Sequence, residues 1–161
     1  MKLSLRSLFP VGVALAAIAA VPFAANAQTA PTDYNYVGAG VAVGDLGDSD
    51  VGLGINSKFT LGEQFSARPA IHSDLDFDDD GVTRFMLPVT YDFNALDRDG
   101  KLLPYVGGGV AFSTGNDEFG GLVTAGADYR ITERVVANGS VNLTINDDTD
   151  VNGFVGLGYS F

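Results

Sequence analysis

Asp76, Asp78 and Asp80 fall at every second position of the stretch DLDFDDDG and run into Gly81. That is the spacing at which the first half of an EF-hand-like loop brings carboxylates to a Ca2+ ion. The twelfth position, where such a loop places its bidentate glutamate, is Leu87, so the motif is incomplete. With Asp74 and Asp79 the segment carries five carboxylates, enough to recruit a divalent cation if a neighbouring loop adds ligands. The competing reading is a solvated loop whose charges oppose aggregation.

His72 is the sole histidine. A hydrolytic site would need a nucleophile and an orienting carboxylate within hydrogen-bond reach of it. Ser73 is adjacent, but successive residues of a strand point to opposite faces, so the two cannot share a pocket. Asp74 shares the parity of His72 and could orient it, yet no nucleophile remains. The expectation is therefore a histidine at a rim with no catalytic role, in a protein that is not an enzyme and needs no cofactor. Two N-x-S/T matches, at Asn138 and Asn142, fall inside a strand pattern, and Gly52-Leu53-Gly54 has no helix after it, so neither carries a function.

What could position these residues is set by the rest of the chain. Lys2 and Arg6 precede an almost wholly apolar run from Leu8 to Phe23, and Ala25-Asn26-Ala27 supplies a small-residue cleavage site. Residues 1–27 thus read as a secretory signal peptide cut before Gln28; Pro10 and Pro22 within the run speak against a single-span anchor. Residues 28–33 form a short N-terminal segment, and 34–161 form one domain. With no cysteine, neither a lipid-anchored thioether nor a disulfide framework is available. The nine basic residues less Lys2 and Arg6 leave seven against 20 acidic ones, a net charge of −13. Nucleic acid and anionic surfaces would be repelled. No stretch after the leader approaches the ~20 apolar residues of a membrane helix, so a membrane location requires a closed barrel.

Eight segments alternate with the period of a strand: 34–44, 51–61, 65–73, 82–93, 103–113, 121–130, 135–145 and 151–161. One parity is aliphatic or aromatic, as with Leu53, Ile55 and Phe59, or Phe85, Leu87 and Val89; in the fifth segment it is Pro104, Val106, Val110 and Phe112. The other parity holds mostly Gly, Asn, Ser and Thr. A soluble barrel would put the apolar parity inside and a Lys/Glu-rich face in water. Glycine weakens a strand unless close approach demands it, and the narrow interior of an eight-stranded barrel makes that demand. The aliphatic face then points out into lipid.

With the first strand running away from the periplasm, Phe59, Phe65, Tyr91, Phe93, Tyr129, Tyr159 and Phe161 gather at the periplasmic end of the apolar face, as an interfacial girdle does. The four outer loops then hold 13 of the 20 acidic residues and no Lys or Arg. Lys58, Arg68, Arg84 and Arg130 fall on the inward parity, with Asp92 and Asp128. Such charges are costly in a narrow interior unless paired, so a carboxylate such as Asp92 or Asp128 is expected between Lys58 and Arg68. This favours a salt-bridged plug over a charge filter.

The leader, the start YVGAGVAVG, the mid-chain LPYVGGGVAF, the turn GADYRITERV and the end GLGYSF together resemble the small outer-membrane β-barrel proteins, the superfamily of OmpA-like and OmpX-like eight-stranded barrels. The resemblance runs over residues 34–161. It implies an all-β fold, an eight-stranded antiparallel up-and-down transmembrane barrel in the cell outer membrane, surrounded by outer-membrane lipids and monomeric. It also implies that the last strand, with Tyr159 and Phe161 on its lipid face, is the assembly signal read by the barrel-insertion machinery. A peptidoglycan-binding domain of the longer OmpA type is not expected, nor a cell-wall tether. The expected role is structural or surface-interacting; a narrow porin-like channel for small solutes or ions and a soluble ligand-binding barrel are the alternatives.

Overall fold

A computed structural model describes residues 32–46, 49–74, 81–114 and 118–161. Among them the alternating segments become β1 (Tyr36–Gly44), β2 (Val51–Thr60), β3 (Phe65–Ala67), β4 (Ala70–Asp74), β5 (Thr83–Asp92), β6 (Leu102–Ser113), β7 (Glu118–Arg130), β8 (Val135–Ile145) and β9 (Thr149–Ser160). β3 and β4 are halves of one strand, so the barrel has eight. Each strand pairs antiparallel with the next, and β1 pairs with β9 from Tyr36↔Ser160 to Gly44↔Asn152. That last ladder closes the sheet and removes its edges.

The break between β3 and β4 falls at Arg68-Pro69, inside the segment that the alternation predicts as one strand. Proline has no N–H to give to a ladder. The register nonetheless runs through unchanged, Phe59↔Ala67 on one side of the break and Asn56↔Ala70 on the other. The Ser57 N–H donates to the Pro69 carbonyl (3.0 Å), and so does the Ser57 hydroxyl (2.8 Å). The parity therefore survives a residue that cannot complete the hydrogen bonding.

The two faces divide as the alternation requires, with the apolar one outside. Val41, Leu53, Ile55, Leu87, Val89, Val123, Val155 and Leu157 are exposed, whereas Gly156, Gly158 and Ser160 between them are buried. This is the reverse of a soluble barrel, and in water so much exposed aliphatic surface would be unfavourable at about 25 cal/mol per Å2. Pro104 departs from the pattern: it is buried. Observed strands also start or stop within three residues of the predicted ones; β7 begins at Glu118 rather than Gly121, and β1 begins at Tyr36 rather than Tyr34.

Glycine on the inner face makes room for rings. A Cβ on Gly54 would lie 2.6 Å from the Phe154 ring and 2.7 Å from the His72 ring, and one on Gly158 would lie 2.6 Å from the Tyr36 ring. These are the close approaches that the glycine-rich parity anticipates.

Candidate functional site in the barrel lumen

The inner half of the lumen, at the end where β1 begins and β9 finishes, is an ion cluster. Inward parity places Lys58 (β2), Asp92 (β5) and Asp128 (β7) there, each nearly or wholly inaccessible to solvent, with Arg68 at the strand break. Asp92 lies between the two cations, 3.3 Å from Lys58 Nζ and 3.1 Å from Arg68. Arg68 also reaches Asp128 at 2.9 Å, donates through Nε to Thr90 (3.0 Å), and stacks its guanidinium 3.6 Å from the Tyr105 ring centroid. Ser66 and Thr90 donate further hydrogen bonds to Asp92 (2.5 and 3.1 Å). Two carboxylates and two cations pair almost completely within the barrel, which is what makes burial of four charges tolerable.

Asp128, like Asp92, has four side-chain partners. It accepts from Tyr34 (2.6 Å), Tyr36 (3.0 Å), Asn138 (2.7 Å) and Arg68. Tyr34 precedes β1 and takes no place in a ladder; its ring turns into the lumen. Burial, and after it the Asp128 carboxylate, push the Tyr34 phenol well above its ordinary range.

Above the cluster the lumen is closed by rings and small apolar groups. His72 is fully buried, its imidazole stacked on Phe154 with centroids 5.1 Å apart and planes 14° from parallel. It is thus enclosed in the lumen rather than open at a rim as the sequence suggests, because its ring turns inward onto Phe154, although its register partner Arg84 is only the second residue of β5. Asp74 does not orient it: the Asp74 carboxylate accepts instead from the Val82 N–H (3.0 Å). Met86, Ala111 and Leu122 pack together nearby, and Thr124, Asn142 and Asn152 form a chain of hydrogen bonds across β7, β8 and β9 (2.8 and 3.1 Å). Between the layers lies a cavity of about 20 Å3 bordered by Tyr36, Asn56, Arg68, His72, Asn142 and Phe154, room for about one water.

At the outer end Arg84 pairs with Asp150 (2.7 Å) and donates to the Asp45 carbonyl (3.2 Å), joining β5 to the bases of two outer loops. Arg130 sits at the opposite mouth, half-buried, its guanidinium 5.2 Å from the Tyr34 ring. The lumen charges named from parity therefore separate into one cluster and two outlying arginines. Asp76, Asp78 and Asp80 lie outside the described residues, and among the described residues no three His, Cys, Asp or Glu side chains gather to hold a metal. Two central side chains were not singled out by sequence. Phe154 shares the parity of Gly156 and Gly158, and Tyr34, which opens the alternating segment 34–44, shares that of Tyr36 and Gly38; parity could have found both.

No protein-family model matches this chain, and no curated protein sequence does. Solved structures do. The N-terminal β-barrel domain of OprF from Pseudomonas aeruginosa superposes with a TM-score of 0.63 at 15% identity, over 81% of this chain and 99% of that one. The fold is that of the small outer-membrane β-barrels. OprG from Pseudomonas aeruginosa (TM-score 0.59, 15% identity, 84% of this chain and 99% of that one) and Ail from Yersinia pestis (0.57, 13%, 80% and 98%) give the same answer.

An outer-membrane barrel carries its lipid contacts on the outside, and the aliphatic belt described above is that surface. Aromatic side chains mark its inner border: Phe65, Tyr91 and Phe93 meet edge to face (5.4 and 5.0 Å between successive centroids), and Phe59, Tyr129, Tyr159 and Phe161 are exposed. Belt and fold together have the architecture of an outer-membrane barrel. The Phe161 N–H donates to the Asn35 carbonyl (3.0 Å), so the end of β9 is tied to the entry of β1.

Proposed function

We propose that this chain is a non-catalytic, monomeric outer-membrane barrel whose role is structural or surface-interacting rather than conductive. The observation that supports it is the filled lumen: paired charges occupy the inner half and the His72–Phe154 stack lies above them, with a cavity of about 20 Å3 between. Export would depend on residues 1–27, removed before Gln28, and insertion on Tyr159 and Phe161, exposed on the last strand and offered to the barrel-assembly machinery.

The first test is the electrophoretic mobility of Gln28–Phe161 refolded in detergent, with and without boiling. A shift on boiling, with β-rich circular dichroism before it, is the expected result. A detergent-free soluble monomer without a shift would remove the membrane assignment. The outer loops carry the surface half of the proposal. Asp76, Asp78 and Asp80, with carboxylates of adjoining loops, would take Ca2+ or a similar divalent ion. Calorimetry should then show cation binding that is lost in the double variant Asp76→Asn, Asp78→Asn; unchanged affinity would leave the loop as solvated charge.

A further inference from the structure

Tyr34 is 6% exposed although it belongs to no strand. Its ring is buried by side chains, and its N–H donates to the Thr32 carbonyl (3.0 Å), a bond that stays within the segment. Its hydroxyl donates to Asp128 at 2.6 Å, the length of a charge-assisted bond to a carboxylate. Lys58 Nζ sits 3.6 Å from the ring centroid and the Arg130 guanidinium 5.2 Å from it, both within cation–π range. Tyr36 lies almost parallel to it, 6.2 Å away at 17°. An acceptor at the hydroxyl end and cations over the π-face are what a phenol selects.

The walls of this pocket are held without Tyr34. Asp128 keeps Arg68, Tyr36 and Asn138 as donors, Lys58 keeps Asp92, and Tyr36 is fixed in β1. The backbone before β1 is attached more lightly. Asn35 is clamped, since its carbonyl accepts from the Phe161 N–H and its side chain accepts from the Thr60 N–H (2.9 Å). On the N-terminal side of Asn35 the attachments are the Thr60 hydroxyl to the Tyr34 carbonyl (3.3 Å), Lys58 to the Thr32 carbonyl and the Thr32 hydroxyl to the Glu63 carbonyl. None is a ladder bond, so this segment can lift away about Asn35 while the barrel stays closed.

We propose that the inner mouth of the lumen is a preformed binding site for a phenolic ring, occupied by the chain's own Tyr34 as a detachable stopper. Its withdrawal uncovers Lys58 and Asp128 to the periplasmic side and leaves a pocket that accepts another phenol, free or as a tyrosyl side chain.

The test uses the folded barrel of Gln28–Phe161 in detergent and p-cresol as the probe. Wild type and Tyr34→Phe, whose rings fill the site, should not bind it. Tyr34→Gly should bind one p-cresol, and toluene more weakly by on the order of tenfold, because Asp128 rewards the hydroxyl. Equal binding to wild type and Tyr34→Gly, or none to a folded Tyr34→Gly, would overturn the site. Hydrogen exchange of the wild type tests the stopper even if Tyr34→Gly does not fold. The Tyr34 amide should exchange at least about tenfold faster than that of Phe161, as local lifting requires. Exchange of both at one rate would mean that Tyr34 opens only with the barrel, and the stopper would be discarded.

Discussion

Asp128 ties the entry of β1 to the break between β3 and β4, to β7 and to β8, because two phenols, an amide and a guanidinium all donate to it. Removing one partner of a buried ion pair leaves the other charge uncompensated, at a cost of about 3–5 kcal/mol. Asp128→Ala should lower unfolding stability in lipid or detergent by about that amount, measured by denaturant titration of the boiling-sensitive form. Asp128→Asn, which keeps an acceptor for the phenols, should lose less, and Arg84→Ala should lose less still because Asp150 remains partly hydrated. Equal effects at Asp128 and Arg84 would mean that the inner cluster has no special weight. The charges themselves were legible in the sequence: an alternating strand gives each residue a face, and Lys58, Arg68, Arg84, Asp92, Asp128 and Arg130 all fall on the inward one. The partnership was half legible: Asp92 between Lys58 and Arg68 follows from neighbouring strands, and parity turns Tyr34 inward with Tyr36, but parity does not say that its hydroxyl reaches Asp128, 94 residues further along the chain.

At the scale of elements, the weak point is the strand divided into β3 and β4. Alternation runs through Pro69 without a break, so the sequence reads one strand and the register agrees with it. What alternation does not carry is hydrogen-bond capacity. Ser57 shares the outward parity of Ile55 and Phe59, and a hydroxyl on a lipid-facing wall needs a partner inside the protein. It has one in the Pro69 carbonyl, which also accepts from the Ser57 N–H. Ser57→Ala keeps the backbone bond and loses the other, so a destabilisation of about 1 kcal/mol is expected, with faster amide exchange at Ser57 and Ala70 and none at β8. A uniform rise in exchange around the barrel would instead mean that this seam is no weaker than the rest.

For the whole molecule, two observations that are separable in principle occur together: an exterior of aliphatic side chains and an interior of paired charges. The first suits the barrel to a lipid surround; the second bears on whether anything crosses it. The sequence conveyed the first, because parity and the glycine-rich second face are properties of strands; solved barrels at about 15% identity share the fold. The second needed coordinates, since the same inward charges could line a filter or close it. The paired charges of the inner half and the His72–Phe154 stack occupy the path between the two mouths, with a cavity of about 20 Å3 between them, which argues against a continuous hydrated path for ions. In a planar bilayer the refolded wild type should therefore show no steady conductance. Arg68→Ala removes the cation that holds Asp92 to Asp128, leaves two carboxylates facing Lys58 alone, and opens space across the inner cluster. Brief cation-selective openings are expected in that variant, because the surplus charge is negative. Steady conductance in the wild type, altered in selectivity by Arg68→Ala, would show that the cluster is a filter and that the barrel is a channel after all.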